Sequence, residues 1–299
     1  MTFSSRRGVR AALAMSATAA LVLAGCTTNT EGTEEATESR EEVTVEVDDE
    51  IAELVPAELR ERGVIVIGTN TPYAPNEFKN ENGEIVGFDI DVMDAVAAVM
   101  GLEADFRESD FEKIIPAIEG GTMDMGASSF TVNAERLETV DFVTYFEAGI
   151  QWAAAAGSDV DPDDACGLSV AVQRTTVSDQ EDVPARSEAC VAAGKPPIEK
   201  VQFDTQDEAS TAVALGKVDA MSADSPISAY AVKQSDGKMQ LVGEVFDSAP
   251  YGWPVRKGNE LAVALEAAAN KLIESGDFET IATNWGVENG MISQSEIRK

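Results

Sequence analysis

The chain has 299 residues, with 22 lysines and arginines against 54 aspartates and glutamates, a formal net charge of −32 and no histidine. Negative charge on this scale argues against a nucleic-acid partner and against attraction to an anionic membrane through basic patches. It reads as a solubilising surface, of a kind that also suits a saline habitat, in preference to a device for binding cations. Without histidine there is no Ser-His-Asp or Cys-His catalysis and no zinc site that needs imidazole, and three cysteines cannot build a four-thiolate metal site.

At the N-terminus Arg6, Arg7 and Arg10 precede an apolar stretch over 11–24. It is too short and too alanine-rich for a bilayer-spanning helix but right for the core of a signal peptide, expected over residues 1–25. The stretch ends in Leu23-Ala24-Gly25-Cys26, which resembles a lipobox, whose cysteine takes a diacylglyceryl group and becomes the mature N-terminus. The alternative is an ordinary secretory signal with an incidental cysteine. Ser5-Arg6-Arg7 leaves the choice between general and twin-arginine export open. Loss of the leader would lower the basic count from 22 to 19 against the same 54 acidic residues. Residues 26–50 are threonine- and glutamate-rich with few large apolar groups, so a disordered acidic tether is expected there, with the fold starting near Ile51. With Cys26 set aside, Cys166 and Cys190 form an even pair in an exported chain and are expected to be disulfide-bonded. A redox-active pair is the alternative, and the absence of a CxxC motif speaks against it.

From Ile51 onward the chain alternates strand-like and helix-like segments. A strand is predicted over 64–69 and a helix over 89–100, followed by a strand over 104–107 and a helix over 111–119. A short buried parallel strand over 123–127 comes next, after Gly120-Gly121. Asn133 then caps a helix whose first turn carries Glu135 and Arg136. After Pro162 the pattern restarts with strands over 168–172, 199–203 and 220–222, helices over 178–193, 206–215 and 226–234, and two further helices within 257–285. This is an α/β pattern, and about 250 folded residues suit two domains with a cleft between them.

The loop between strand 123–127 and the helix capped by Asn133 carries the most specific chemistry. The Ser129 carbonyl and the Thr131 hydroxyl can accept protons from an ammonium, while the Thr131 amide and the Arg136 fork can hold a carboxylate. One small zwitterion satisfies all four. Taken alone, Arg136 also reads as a surface arginine paired with Glu135 or Glu138.

Ser129-x-Thr131 with Arg136 and Val140-Asp141-Phe142 resembles the solute-binding proteins of polar amino-acid ABC transporters. So do Gly87-Phe88-Asp89-Ile90-Asp91, Phe111-x-x-Ile114-Ile115-Pro116 and Asp219-Ala220-x-x-Ala223-Asp224, in the order that family uses, from about residue 60 to the C-terminus. The resemblance implies a two-lobed type II periplasmic-binding-protein fold, each lobe a mainly parallel sheet flanked by helices. Its lobes would comprise 51–147 with 249–299, and 148–248, and the chain would cross between them near 146–151 and 244–251.

It also implies site roles. Asp224 takes the ligand ammonium, although its place before Ser225-Pro226 equally suits a helix cap. Tyr73 and Phe111 pack rings on the ligand, with core packing the alternative for Phe111. Gln173, Thr176 and Val177 belong to the loop offering helix amides to the carboxylate, where Thr175 replaces the usual glycine. Asn70 and Gln173 face the ligand side chain. Neither is charged, and with Arg174 nearby a glutamine- or glutamate-like ligand is expected. Trp152, Trp253 and Trp285 read as hinge or packing residues. The resemblance implies a lipid-anchored monomer with no catalytic residues, cofactor or metal, passing a free amino acid to a permease with a cytoplasmic ATPase. A sensing role, or a cyclohexadienyl dehydratase on the same fold, are the alternatives.

Overall fold

The computed structural model describes residue 41 and residues 43–299; the signal peptide expected over 1–25 and the lipidation expected at Cys26 lie outside the described residues. The fold begins before the expected start at Ile51. Val43 and Val45 pack on the first core, the Asp48 amide donates to the Val99 carbonyl (3.0 Å), and Glu41 and Asn284 exchange two hydrogen bonds. Residues 43–50 therefore do not belong to a disordered tether. Two valines and a capping aspartate, spaced to reach a groove, outweigh the threonine-glutamate composition.

Asp48 caps helix α1 (Asp49–Leu54) by accepting the Glu50 and Ile51 amides, and α2 (Ala57–Arg62) ends at Gly63 in the left-handed region. Strand β1 (Val64–Thr69) leads into a loop and the hairpin β2 (Phe78–Lys79) and β3 (Ile85–Val86). Helix α3 (Phe88–Val99), strand β4 (Glu103–Glu108), helix α4 (Phe111–Glu119), strand β5 (Met125–Gly126) and helix α5 (Ala134–Leu137) complete the first part. The long strand β6 (Val140–Ala155) follows. After it come β7 (Ser169–Gln173), α6 (Val183–Ala192), β8 (Glu199–Phe203), α7 (Gln206–Ala214), β9 (Ala220–Asp224) and α8 (Ser225–Gln234). A second long strand, β10 (Met239–Arg256), returns to α9 (Leu261–Ser275), α10 (Asp277–Trp285) and β11 (Ile297–Arg298).

One sheet runs β4-β1-β5-β10-β6-β9-β7-β8, with β11 added to β6. Pairing is parallel at both ends, β1 with β4 and β5, and β7 with β8 and β9. It is antiparallel in the middle, where β6 and β10 pair from Val140↔Arg256 to Met239↔Ala155. The register shifts between Val242 and Phe246, Phe246 and Ala249, and Tyr251 and Gly252, so the shared pair is bent where it passes from one lobe to the other. The segments 146–151 and 244–251, expected as crossovers, are thus strand. The first-lobe core joins Val92, Met93 and Val96 of α3 to Leu265, Leu272 and Phe278 of α9 and α10. The second lobe packs Trp152, Val170, Val172 and Val183 on one sheet face and Ala171, Val213 and Met221 on the other.

The helix expected over 178–193 is divided. Residues 178–182 form a π-helical turn, and α6 starts at Val183. Pro184 lacks an amide proton and so tolerates only the first turn of a helix, which resets the start there. Cys166 and Cys190 are disulfide-bonded across 24 residues, tying α6 to the loop before β7. Closing a loop of that length stabilises by about 3 kcal/mol in the chain-entropy model, so reduction should lower the melting temperature by roughly 6–12 °C. Ligand affinity should stay unchanged, because neither cysteine lines the cavity described below. Differential scanning calorimetry and titration of the reduced and oxidised protein check both outcomes; free thiols in the exported protein would overturn the pairing.

Candidate ligand-binding site

The loops after β1 and β5 meet the C-terminal ends of β7 and β9 around a cavity of about 10 Å³, room for about one water. Arg136 forms one wall. Asn133 accepts the Arg136 amide (3.0 Å) as the cap of α5, so the arginine leaves the helix at a fixed point, and its guanidinium lies alongside the stacked rings of Phe111 and Phe130, 5.4 and 5.5 Å from their centres. Nη1 donates to the Thr131 carbonyl (2.7 Å) and Nη2 crosses to the Thr175 carbonyl of the second lobe (3.0 Å). Burial pulls its pKa down while the Asp224 carboxylate pulls it up. The surface pairing with Glu135 or Glu138 is absent, since the side chain is 9% exposed and turned inward.

Asp224 stands opposite. It holds the N-cap position of α8, yet its side chain makes no bond to the helix amides. Instead Oδ2 accepts the hydroxyls of Tyr73 (2.7 Å) and Tyr251 (2.6 Å). Burial raises its pKa, and the two hydroxyls and Arg136 oppose the rise.

At a third corner Gln173 Nε2 donates to Asn70 Oδ1 (2.8 Å), bridging the lobes, while Asn70 Nδ2 donates to the Ser109 carbonyl (2.8 Å). Thr175 adopts a left-handed φ of 61°, where glycine would be at ease. Its amide donates to Asp179 Oδ2 (2.9 Å), and Thr176 Oγ1 donates to the Gln173 carbonyl (2.8 Å). These bonds hold the loop in the shape glycine would otherwise supply. Ser129, with φ 51°, is held in the same way by Asp89, whose Oδ2 accepts its amide at 2.7 Å.

The structure brings together at this one cavity all ten residues expected there: Asn70, Tyr73, Phe111, Ser129, Thr131, Arg136, Gln173, Thr176, Val177 and Asp224. Arg174 is not among them. Its guanidinium points outward to Asp204 (2.8 Å), because alternate strand residues face opposite sides and Gln173 takes the inward place. The reading that Arg174 attracts an acidic ligand side chain is corrected on that ground. Sequence reasoning missed Glu77 and Ser128, which line the cavity, and Tyr251, which orients Asp224. A lone acidic residue in the uncharged run from Thr69 to Phe78 was the available signal for Glu77.

Two α/β lobes sharing a bent antiparallel strand pair, with charged groups of both signs buried where they meet, define a bilobal solute-binding protein. The chain belongs to the bacterial extracellular solute-binding proteins, family 3, whose model matches residues 65–288. It is 42% identical to the arginine-binding protein ArgT of Corynebacterium glutamicum over 296 residues, covering 98% of this chain and 96% of that protein. Among solved structures it resembles an ancestral arginine-binding protein bound to arginine, with TM-score 0.69 and 35% identity over 75% of this chain and 98% of that one. It also resembles an ancestral arginine-binding protein bound to glutamine, with TM-score 0.68 and 36% identity over 76% and 99%. No helix among the described residues is long and apolar enough to cross a membrane.

Proposed function

We propose that this chain is the extracytoplasmic binding component of an amino-acid ABC transporter, and that its ligand is an amino acid with a long, hydrogen-bond-donating side chain, arginine before glutamine. The observation that carries the reading is one buried cavity faced by Arg136 and Asp224, with Glu77 as a further carboxyl in its first-lobe wall. The ligand carboxylate takes the Arg136 fork in place of the Thr131 and Thr175 carbonyls, and the Thr176 and Val177 amides lie alongside. The ammonium goes to Asp224, with the Ser129 carbonyl and the Thr131 hydroxyl. Tyr73 and Phe111 exclude water, which strengthens each charged contact.

The side chain then reaches Asn70, Gln173 and Glu77. A guanidinium or amide offers them donors, whereas a ligand carboxylate would add negative charge beside Glu77 and Asp89 in a dry site, so glutamate is disfavoured. The 42% identical arginine-binding relative, and the ancestral arginine-binding proteins seen bound to arginine and to glutamine, support this order. A cavity of about 10 Å³ admits no amino acid, so the lobes must part at the β6–β10 bend and close on the ligand. Leu23-Ala24-Gly25-Cys26 supports lipid anchoring through Cys26, with the ligand passed to membrane permease subunits and their ATPase; the chain binds and releases and catalyses nothing.

A thermal-shift panel of the twenty amino acids, citrulline and ornithine, followed by calorimetry, tests the reading. A ligand at 100 times its Kd stabilises by about 2.7 kcal/mol. Arginine should give the largest shift, glutamine a smaller one and glutamate none. A response to glutamate without arginine would overturn the assignment.

A further inference from the structure

Behind the cavity two carboxyl groups lie together with no cation beside them. Glu77 precedes β2 and Asp89 is in the first turn of α3, and both are 0% exposed. Their proximity is enforced by Gly87, whose φ is 145° and where a Cβ would stand 2.0 Å from the Asn76 carbonyl oxygen. Ser128 Oγ accepts the Asn70 amide (3.0 Å) and donates to Glu77 Oε1 (2.7 Å). The Tyr145 hydroxyl lies 2.8 Å from both Asp89 oxygens. Ser129 Oγ accepts from Asn76 Nδ2 (2.8 Å) and lies 3.3 Å from Glu77 Oε2 and 3.2 Å from Asp89 Oδ2.

A hydroxyl has one hydrogen, so Ser129 can donate to only one of the two carboxyl groups. With that hydrogen on Asp89, whose Oδ2 already accepts the Ser129 amide, Glu77 Oε2 has no donor, and ionising both carboxyls would set two anions side by side in a dry interior. Among the described residues no lysine or arginine bonds to either carboxyl. The ionisable groups around the pair are Tyr73 in the loop after β1, Tyr145 on β6 and Tyr251 on β10, with Asp224 and Arg136 across the cavity. Arg136 bonds to the Thr131 and Thr175 carbonyls and to neither carboxyl, and the tyrosines carry no positive charge, so none of these neutralises the pair. Burial first, and then the neighbouring Asp89, holds Glu77 well above the usual carboxylate range, while burial lifts Asp89 to about 6 against the donors that favour its anion. The pair therefore keeps one proton at neutral pH, and that proton belongs to both groups.

We propose that this shared proton makes the pocket sort ligands by the charge of their side chains: a cationic side chain expels the proton to solvent on binding, and a neutral one leaves it in place. The bond broken is the carboxyl O–H of Glu77 in its pair with Asp89. The proton passes to buffer, and the carboxylate left behind receives the cation. The inference rests on the arginine reading of the site. Because the free protein binds the extra proton, arginine affinity should rise with pH across the neutral range, by up to about tenfold per unit, while glutamine affinity stays level. Asp224 also has a raised pKa, but it meets the ammonium of either ligand, so the difference between the ligands isolates Glu77 and Asp89.

The test is calorimetry of arginine and of glutamine at pH 7 in phosphate and in Tris, whose protonation enthalpies differ, repeated from pH 6 to 8. The expected result is about one proton released per arginine beyond the number released per glutamine. Glu77→Gln, which carries the neutral form permanently, should lose the extra release and bind arginine no better than glutamine. The wild-type measurement decides alone if that variant does not fold. Arginine bound with no extra proton and no pH dependence would overturn the shared-proton inference and leave the arginine reading standing. Glutamine bound with no response to arginine would sink both.

Discussion

Arg136→Ala is expected to remove ligand binding while leaving a folded protein. The guanidinium is the cavity's cation, held by the Asn133 cap, set alongside the stacked rings of Phe111 and Phe130 and bonded to two carbonyls from opposite lobes. Truncation would leave the ligand carboxylate desolvated without a partner. It would also remove the bond from Arg136 to the Thr175 carbonyl of the second lobe. Breaking a buried charge pair from one side costs about 3–5 kcal/mol, a loss in affinity of roughly two to four orders of magnitude. Arg136→Lys keeps the charge but offers no planar fork, so it should recover only part of the loss. Titration calorimetry on both variants, with circular dichroism confirming the fold, measures the difference. Near-wild-type affinity in folded Arg136→Ala would put the ligand elsewhere.

The grouping of the candidate clamp residues at one cavity was legible because part of it is local. Asn133, Arg136 and Ser129 lie within eight positions, so a cap, one helical turn and a loop place them together, and distant groups such as Asp89 and Thr175 only fix the final geometry. Strand β1 and helix α4 have the predicted bounds for a similar reason: a short β-branched run with turn signals around it, and an amphipathic turn starting at Phe111. The long strands β6 and β10 were not legible as strands. Nearly every residue of β6 is buried on both faces, so the period of two that marks a half-buried strand is missing. The segment 43–48 was missed because a composition argument sees threonine and glutamate and cannot see the groove that Val43 and Val45 fill. Glu77 was missed for the same physical reason. A buried carboxyl is stabilised by Ser128, Ser129 and a second carboxyl 12 positions away, and burial is a property of the assembled lobe. Arg174 misled because the order of inward and outward places at the end of β7 decides which of two adjacent polar residues faces the cavity.

Asp224→Asn should weaken binding strongly while Asp219→Asn should not, although Asp224 ends strand β9 and Asp219 immediately precedes it. Asp224 lies at the end of β9 that reaches the cavity, and its Oδ2 already accepts two tyrosine hydroxyls, so an amide of the same shape can keep those contacts through its oxygen. It cannot supply charge. An ammonium buried beside a neutral amide loses the stronger, charge-assisted bond and keeps its desolvation cost, which amounts to about 2–4 kcal/mol, or some thirty- to thousandfold in affinity. Asp219 stands about 16 Å away at the rise of an extended strand. Its Oδ2 accepts the amide and the hydroxyl of Ser169 at 2.8 and 2.7 Å, joining β9 to β7 at the end remote from the cavity. An asparagine there retains the acceptor, so the cost falls on stability and stays near 1 kcal/mol, with affinity unchanged. The comparison therefore separates charge at the ligand from charge in the lobe. Calorimetric titration with the ligand found in the panel, together with melting curves, provides both readouts. Equal losses of affinity at the two positions would mean that the second lobe senses aspartate charge through its fold, and wild-type affinity in Asp224→Asn would assign the ammonium to the Ser129 carbonyl and the Thr131 hydroxyl alone.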